Sequence, residues 1–111
     1  MFKTMKQILP IAAFALCTYG TAHADVQKGM HIFSACRGVN VHFCQGYITA
    51  IADELSDGVE FRGYRACVPK DVTIGQLRLI ISKWLSEHQQ YRQEPGAGLV
   101  AEALAETFPC S

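Results

Sequence analysis

Thr73-Ile74-Gly75-Gln76-Leu77-Arg78-Leu79-Ile80-Ile81-Ser82-Lys83-Trp84-Leu85 reads as an amphipathic helix with its start signal attached. Thr73 and Gln76 stand at capping-box spacing: the Thr hydroxyl can accept the backbone N–H three residues on, while the Gln76 side chain reaches back to the N–H of Thr73. Beyond the cap, Ile74, Leu77, Ile81, Trp84 and Leu85 recur at steps of three and four, with Ile80 widening the stripe. That period is helical and one-sided, so the stripe is a core face. The polar run Glu87-His88-Gln89-Gln90 ends it.

The same pattern extends in both directions. Pro95 suits the first turn of a following helix, where its missing N–H costs nothing. Leu99, Val100, Ala103, Leu104 and Phe108 form the buried side of that helix, and Pro109 stops it. Upstream, Asn40 can cap a helix carrying Cys44, Tyr47, Ile48, Ile51 and Leu55 on one stripe, ended by Asp57-Gly58. A short first helix runs from Asp25 to about Cys36 on Val26, Met30, Ile32 and Phe33, weakened by Gly29 and closed before Gly38. Val59 to Lys70 carries Gly63, Pro69 and mixed charge, and reads as a loop. No segment shows the two-residue alternation of a half-buried strand. The expected fold is all-α, a small four-helix domain.

The first 24 residues read as a cleaved export signal. Lys3 and Lys6 give a basic start, Ile8 to Leu16 is an apolar run broken only by Pro10, and Ala22-His23-Ala24 supplies the small residues of a cleavage site. A membrane-spanning helix needs roughly 20 apolar residues, more than this run offers. The mature chain then begins at Asp25, in the periplasm. A lipoprotein reading of Cys17 fails because Leu16 precedes it, where that processing wants a small residue. Taking 24 from 111 residues leaves 87, one domain over 25–111. A core of that size is marginal and commonly cross-linked.

Removing Lys3 and Lys6 from ten Lys plus Arg leaves eight against ten Asp plus Glu, a formal charge of minus two. The cations from Arg37 to Arg92 are scattered, so the basic face that nucleic acid requires is missing. A membrane-surface helix is disfavoured on the same ground, and no membrane association is expected once the signal is removed.

Cys36, Cys44, Cys67 and Cys110 remain in the mature chain, an even set in a short exported protein, which points to two disulfides. Cys36 ends the first helix and Cys44 lies near the start of the second, so an antiparallel hairpin would bring them together. Cys67 then pairs with Cys110, tying the loop before the third helix to the end of the fourth. Four cysteines allow three connectivities, and the sequence leaves the other two open.

Catalytic and metal chemistry find little support. His31, Cys36, His42 and Cys44 are zinc-type ligands, but structural zinc sites bring them in pairs two to four residues apart, and only His42 and Cys44 are that close. A Cys/His hydrolase built on Cys44 or Cys67 with His88 needs a free thiolate, which disulfide pairing removes. Asp53, Glu54, Asp57 and Glu60 read as solvated charges. The expectation is a protein that is not an enzyme, with no catalytic residue, no metal and no cofactor.

Phe43-Cys44-Gln45-Gly46-Tyr47-Ile48, Cys67-Val68-Pro69 leading into Val72-Thr73-Ile74-Gly75-Gln76-Leu77, and the Phe108-Pro109-Cys110 end together resemble the Rap/Tai family of immunity proteins. The order and spacing agree, Cys36 precedes them as a helix-ending cysteine, and Trp84 to Gln89 and Leu99-Val100 to Ala103-Leu104 match the last two helices. The resemblance spans nearly all of the mature chain. It implies a helical periplasmic protein that binds and inhibits a peptidoglycan amidase effector delivered by type VI secretion, forms a homodimer, and places a protruding segment in the enzyme's cleft.

The residues themselves suggest which parts are scaffold. Gly46 would let another helix approach the second one closely, Tyr47 suits a core edge, and the cysteines are staples. The candidate contact segment is the loop around Glu60, Phe61, Arg62, Tyr64 and Arg65, because aromatics and Arg on a loop are what binding hot spots favour. The competing reading is that Phe61 and Tyr64 pack down onto the core. A function from another class, a structural or stress-related chaperone-like periplasmic protein, would use exposed apolar surface and the mature histidines as a pH switch. Two disulfides oppose the partial unfolding it needs.

Overall fold

The computed structural model describes residues 26–111, so the export-signal reading, Cys17 and the start at Asp25 lie outside the described residues. Four α-helices are present and no strand among the described residues: α1 (Gly29–Ser34), α2 (Val41–Glu54), α3 (Ile74–Glu87) and α4 (Gly96–Thr107). The all-α expectation holds. Ile32, Ile48, Leu55, Ile81, Leu85, Val100 and Leu104 are fully buried at the centre, with Trp84 and Leu77 closing the α3 side. Burial of such side chains contributes about 1.5–3 kcal/mol each before the entropy of ordering them is charged.

The helix starts follow the local chemistry. Thr73 Oγ1 accepts from Gln76 N at 3.1 Å and Gln76 Oε1 accepts from Thr73 N at 2.8 Å, the complete reciprocal box. Asn40 Oδ1 accepts from Phe43 N at 3.1 Å, capping α2. Pro95 stands one residue outside α4 rather than within its first turn, with φ −57° and ψ 133°. It and Lys28 form an antiparallel bridge. Gly29 N donates to Glu94 O, Met30 N to Arg92 O and Gly96 N to Gln27 O. These bonds satisfy N–H groups that the first turns of α1 and α4 leave without intrahelical partners.

The first helix closes before Gly38, as expected: α1 passes into a π-turn over Ala35–Val39, in which Gly38 leaves the helical region at φ 129°, a conformation open to glycine at little cost. Asn40 N donates to Ala35 O there, and Arg78 Nη1 of α3 donates to Cys36 O at 2.6 Å, giving that carbonyl a partner.

Gly46 makes no close approach. It is exposed, and a Cβ built on it meets nothing within 4 Å. The tight glycines are Gly29, where a Cβ would lie 2.5 Å from Leu99 Cδ1, and Gly96, where it would lie 2.8 Å from Ile32 Cγ1 and 3.1 Å from Gln27 O. Gly29, read as a weakness of the first helix, is therefore where α1 meets α4.

Val59 to Lys70 is a loop, as expected, with ordered turns at its start. A 3-10 turn over Ser56–Gly58 follows α2, with Asp57 at φ 61°. Phe61-Arg62-Gly63-Tyr64 then closes a two-residue hairpin, each of Phe61 and Tyr64 donating its N–H to the other's carbonyl at 2.9 Å. Arg62 and Gly63 both have positive φ, 54° and 86°, the signature of a primed turn.

Candidate functional site

Cys36 and Cys44 are joined across the π-turn with Cα atoms 5.0 Å apart, and both are fully buried. Cys67 and Cys110 are joined with Cα atoms 5.1 Å apart, and Cys67 N donates to Phe108 O at 2.8 Å beside the bridge. On the chain-entropy account these closures contribute about 2.5 and 4 kcal/mol, the longer loop gaining more. All four sulfurs are thereby withdrawn from nucleophilic and metal chemistry.

The histidines are likewise placed. His31 Nδ1 accepts from Lys28 N at 3.1 Å, at the start of α1. His42 is exposed on α2. His88 stacks on Trp84, ring centroids 3.8 Å apart, with its Nδ1 2.7 Å from Trp84 O. Trp84 Nε1 donates to Glu106 Oε1 at 2.8 Å, linking α3 to α4. His88 thus closes the end of α3, with both cysteine candidates for its nucleophile already bonded elsewhere. Asp53, Glu54 and Asp57 are exposed, as solvated charges should be.

The hairpin divides its residues between two tasks. Phe61 and Tyr64 are half-buried against the core, and Tyr64 Oη donates to Glu102 Oε1 of α4 at 3.2 Å. Burial raises the Tyr64 hydroxyl above its ordinary range, and the neighbouring Glu102 carboxylate, its hydrogen bond, and then Glu94 and Glu106 push the same way. Glu60, Arg62 and Arg65 are exposed. Arg65 Nη1 donates to Gly58 O at 2.6 Å, bracing the base of the turn, while Arg62 sits over the Phe61 ring at 5.8 Å. The turn therefore holds Arg62 and Gly63 outward on aromatic supports.

Along α2, Phe43 and Tyr47 form a further aromatic pair. Burial raises the Tyr47 hydroxyl, with nearby Arg62 acting in the opposite sense, and the Tyr47 ring lies 5.9 Å from Phe43. Phe43 leads to a face the sequence reading did not single out. There the buried Phe33 ring carries two guanidinium groups, Arg92 at 3.9 Å and Arg37 at 5.0 Å from its centroid. Phe33 and Arg37 stand four residues apart, a spacing visible in sequence. Arg92 comes from beyond α3, so its arrival on the same ring is a tertiary event.

A hollow of about 750 Å³ opens beside this pair between Met30, Val39, Phe43 and the two arginines. A separate groove of about 460 Å³ runs between the end of α2 and the Cys67–Ile74 segment, lined by Ala52, Leu55, Val68 and Val72 with Asp53, Asp57 and Lys70. Its charges are of both signs.

None of the described helices is long and apolar enough to cross a membrane. No curated protein and no solved structure matches the chain. The family model of the Rap1a immunity proteins matches residues 15–110, which takes in the whole four-helix domain and both disulfides. The chain belongs to the Rap1a family of immunity proteins, a non-catalytic family whose role is to bind a secreted effector.

Proposed function

We propose that this protein, after removal of residues 1–24, resides in the periplasm and there binds and blocks a peptidoglycan amidase delivered by type VI secretion, protecting the cell that makes both. The family match over residues 15–110 carries this reading. Its supports are physical. Two disulfides suit an oxidising compartment and hold a domain with a small core rigid, which lowers the ordering cost of binding. With Phe61 and Tyr64 anchored on the core, the Arg62-Gly63 tip, flanked by Glu60 and Arg65, is a pre-formed projection of a size to enter an enzyme cleft.

The experiment is a rescue. On this reading the adjacent reading frame should encode the amidase; directed to the periplasm, that enzyme should lyse cells that lack this protein, and co-expression with the export signal intact should restore growth. Rescue that persists when the signal is deleted would contradict the periplasmic site of action. Absence of rescue with the signal in place would contradict inhibition, and a chaperone-like role would then predict general stress protection instead.

A further inference from the structure

We propose that the face built from Phe33, Arg37, Val39, Phe43, Met30 and Arg92 is a second docking surface for the effector, one that receives a segment of it carrying a carboxylate beside an apolar side chain. This rests on the reading of the protein as an effector-binding immunity protein and says which chemistry that effector presents.

Charge is the first argument. Arg37 and Arg92 share one aromatic ring, and no carboxylate lines the hollow on either side of them: neither the one bounded by Met30, Val39 and Phe43 nor the adjoining one bounded by Ser82, Ser86 and Gln89. Among the described residues neither arginine takes part in an ion pair. Two neighbouring cations held without a counter-charge, on a domain whose overall charge is negative, form a local positive field that an incoming carboxylate would relieve.

Their positions are also fixed in advance. Arg92 Nε donates to Leu85 O at 2.9 Å and its Nη2 to Ser86 O at 3.3 Å, so its guanidinium is held at the end of α3. Arg37 stands in the π-turn whose base is closed by the Cys36–Cys44 bridge and by Arg78. An arginine with a planar fork, held over an aromatic ring, is suited to a carboxylate in a way that a free surface lysine is not.

The apolar half of the surface adjoins it. Val39 is 82% exposed at the tip of the stapled turn, with Met30 and Phe43 each about two-fifths exposed across the hollow. Aromatic and Arg side chains around such a hollow are the composition of a binding hot spot. The Phe43 and Tyr47 rings, 5.9 Å apart, extend the apolar half along α2. The groove lined by Asp53, Asp57 and Lys70 lacks this one-signed charge.

The test uses the purified mature protein and the neighbouring amidase with its nucleophile inactivated, with calorimetry at low and high salt. Arg37→Glu should weaken binding at least about 30-fold and flatten the salt dependence, the size expected when a buried charge pair becomes a repulsion. Lys70→Glu makes the same charge change in the other groove and should leave affinity within about threefold. Val39→Asp puts a negative charge on the same face at a site with almost no packing to lose, and should weaken binding too, so a folding defect in Arg37→Glu cannot decide the result alone. Wild-type affinity in both Arg37→Glu and Val39→Asp would overturn this surface while leaving the immunity reading intact. A wild-type protein that binds no neighbouring amidase would overturn the immunity reading, and this surface with it.

Discussion

An alanine at Gly96 would bring its Cβ to 2.8 Å from Ile32 Cγ1 and 3.3 Å from the Tyr47 hydroxyl, with no room on the Gln27 side. Gly96→Ala should therefore cost about 1–3 kcal/mol, the usual penalty of overpacking, read as a lowered urea midpoint. Gly46→Ala should do the opposite and gain about 0.5–1 kcal/mol, because Gly46 is exposed in mid-helix with open space around it. Loss of stability in Gly46→Ala would show that something packs on this position after all. The tyrosines make a second prediction at this scale. Tyr47 and Tyr64 both have hydroxyls raised by burial above the ordinary value of about 10, so the unfolded chain releases those protons first. Stability should be full below about pH 10 and decline as pH rises beyond it. A urea midpoint measured against pH checks this, and Tyr64→Phe should make the decline shallower.

At the scale of elements, the ends of the helices were legible because their chemistry is local. Thr73 and Gln76 are three residues apart and make both bonds of the capping box. Thr73→Ala should cost about 1 kcal/mol, visible as a small fall in Tm. Arg78→Ala should cost more, about 1–3 kcal/mol, because Cys36 O in the π-turn loses the donor that reaches it from α3. That bond spans forty-two residues and could not be read from the chain. The hairpin escaped for a different reason: Arg62-Gly63 forms the turn with Arg at φ 54°, where Asn or Asp would have advertised it. Gly46 and Gly96 show the same limit, since a glycine needed for close approach and one that touches nothing look alike until the helices are packed. Of the candidate contact residues, Glu60, Arg62 and Arg65 stand exposed while Phe61 and Tyr64 pack half-buried on the core, and the Phe33, Arg37 and Arg92 cluster was not legible because two segments more than fifty residues apart meet on one ring.

Across the whole molecule, rigidity is what the sequence encodes most plainly. The Cys67–Cys110 bridge ties the segment before α3 to the end of α4, and Cys36–Cys44 fixes the turn that joins α1 to α2. Replacing Cys67 and Cys110 together with Ala should lower stability by about 4 kcal/mol, and the Cys36 and Cys44 pair by about 2.5, the order set by loop length. In an effector-binding protein such staples act on affinity as well, because exposed arginines on a fixed frame lose little entropy when they engage. The central claim is that this domain stops an amidase by occupying it, and the most direct measurement is release of soluble peptide fragments from purified peptidoglycan by the neighbouring amidase with increasing amounts of the mature protein. Activity should fall linearly to near zero and stop changing at one domain per enzyme, and it should return in the presence of excess inactivated enzyme. Undiminished hydrolysis at several-fold excess of the protein would contradict the account.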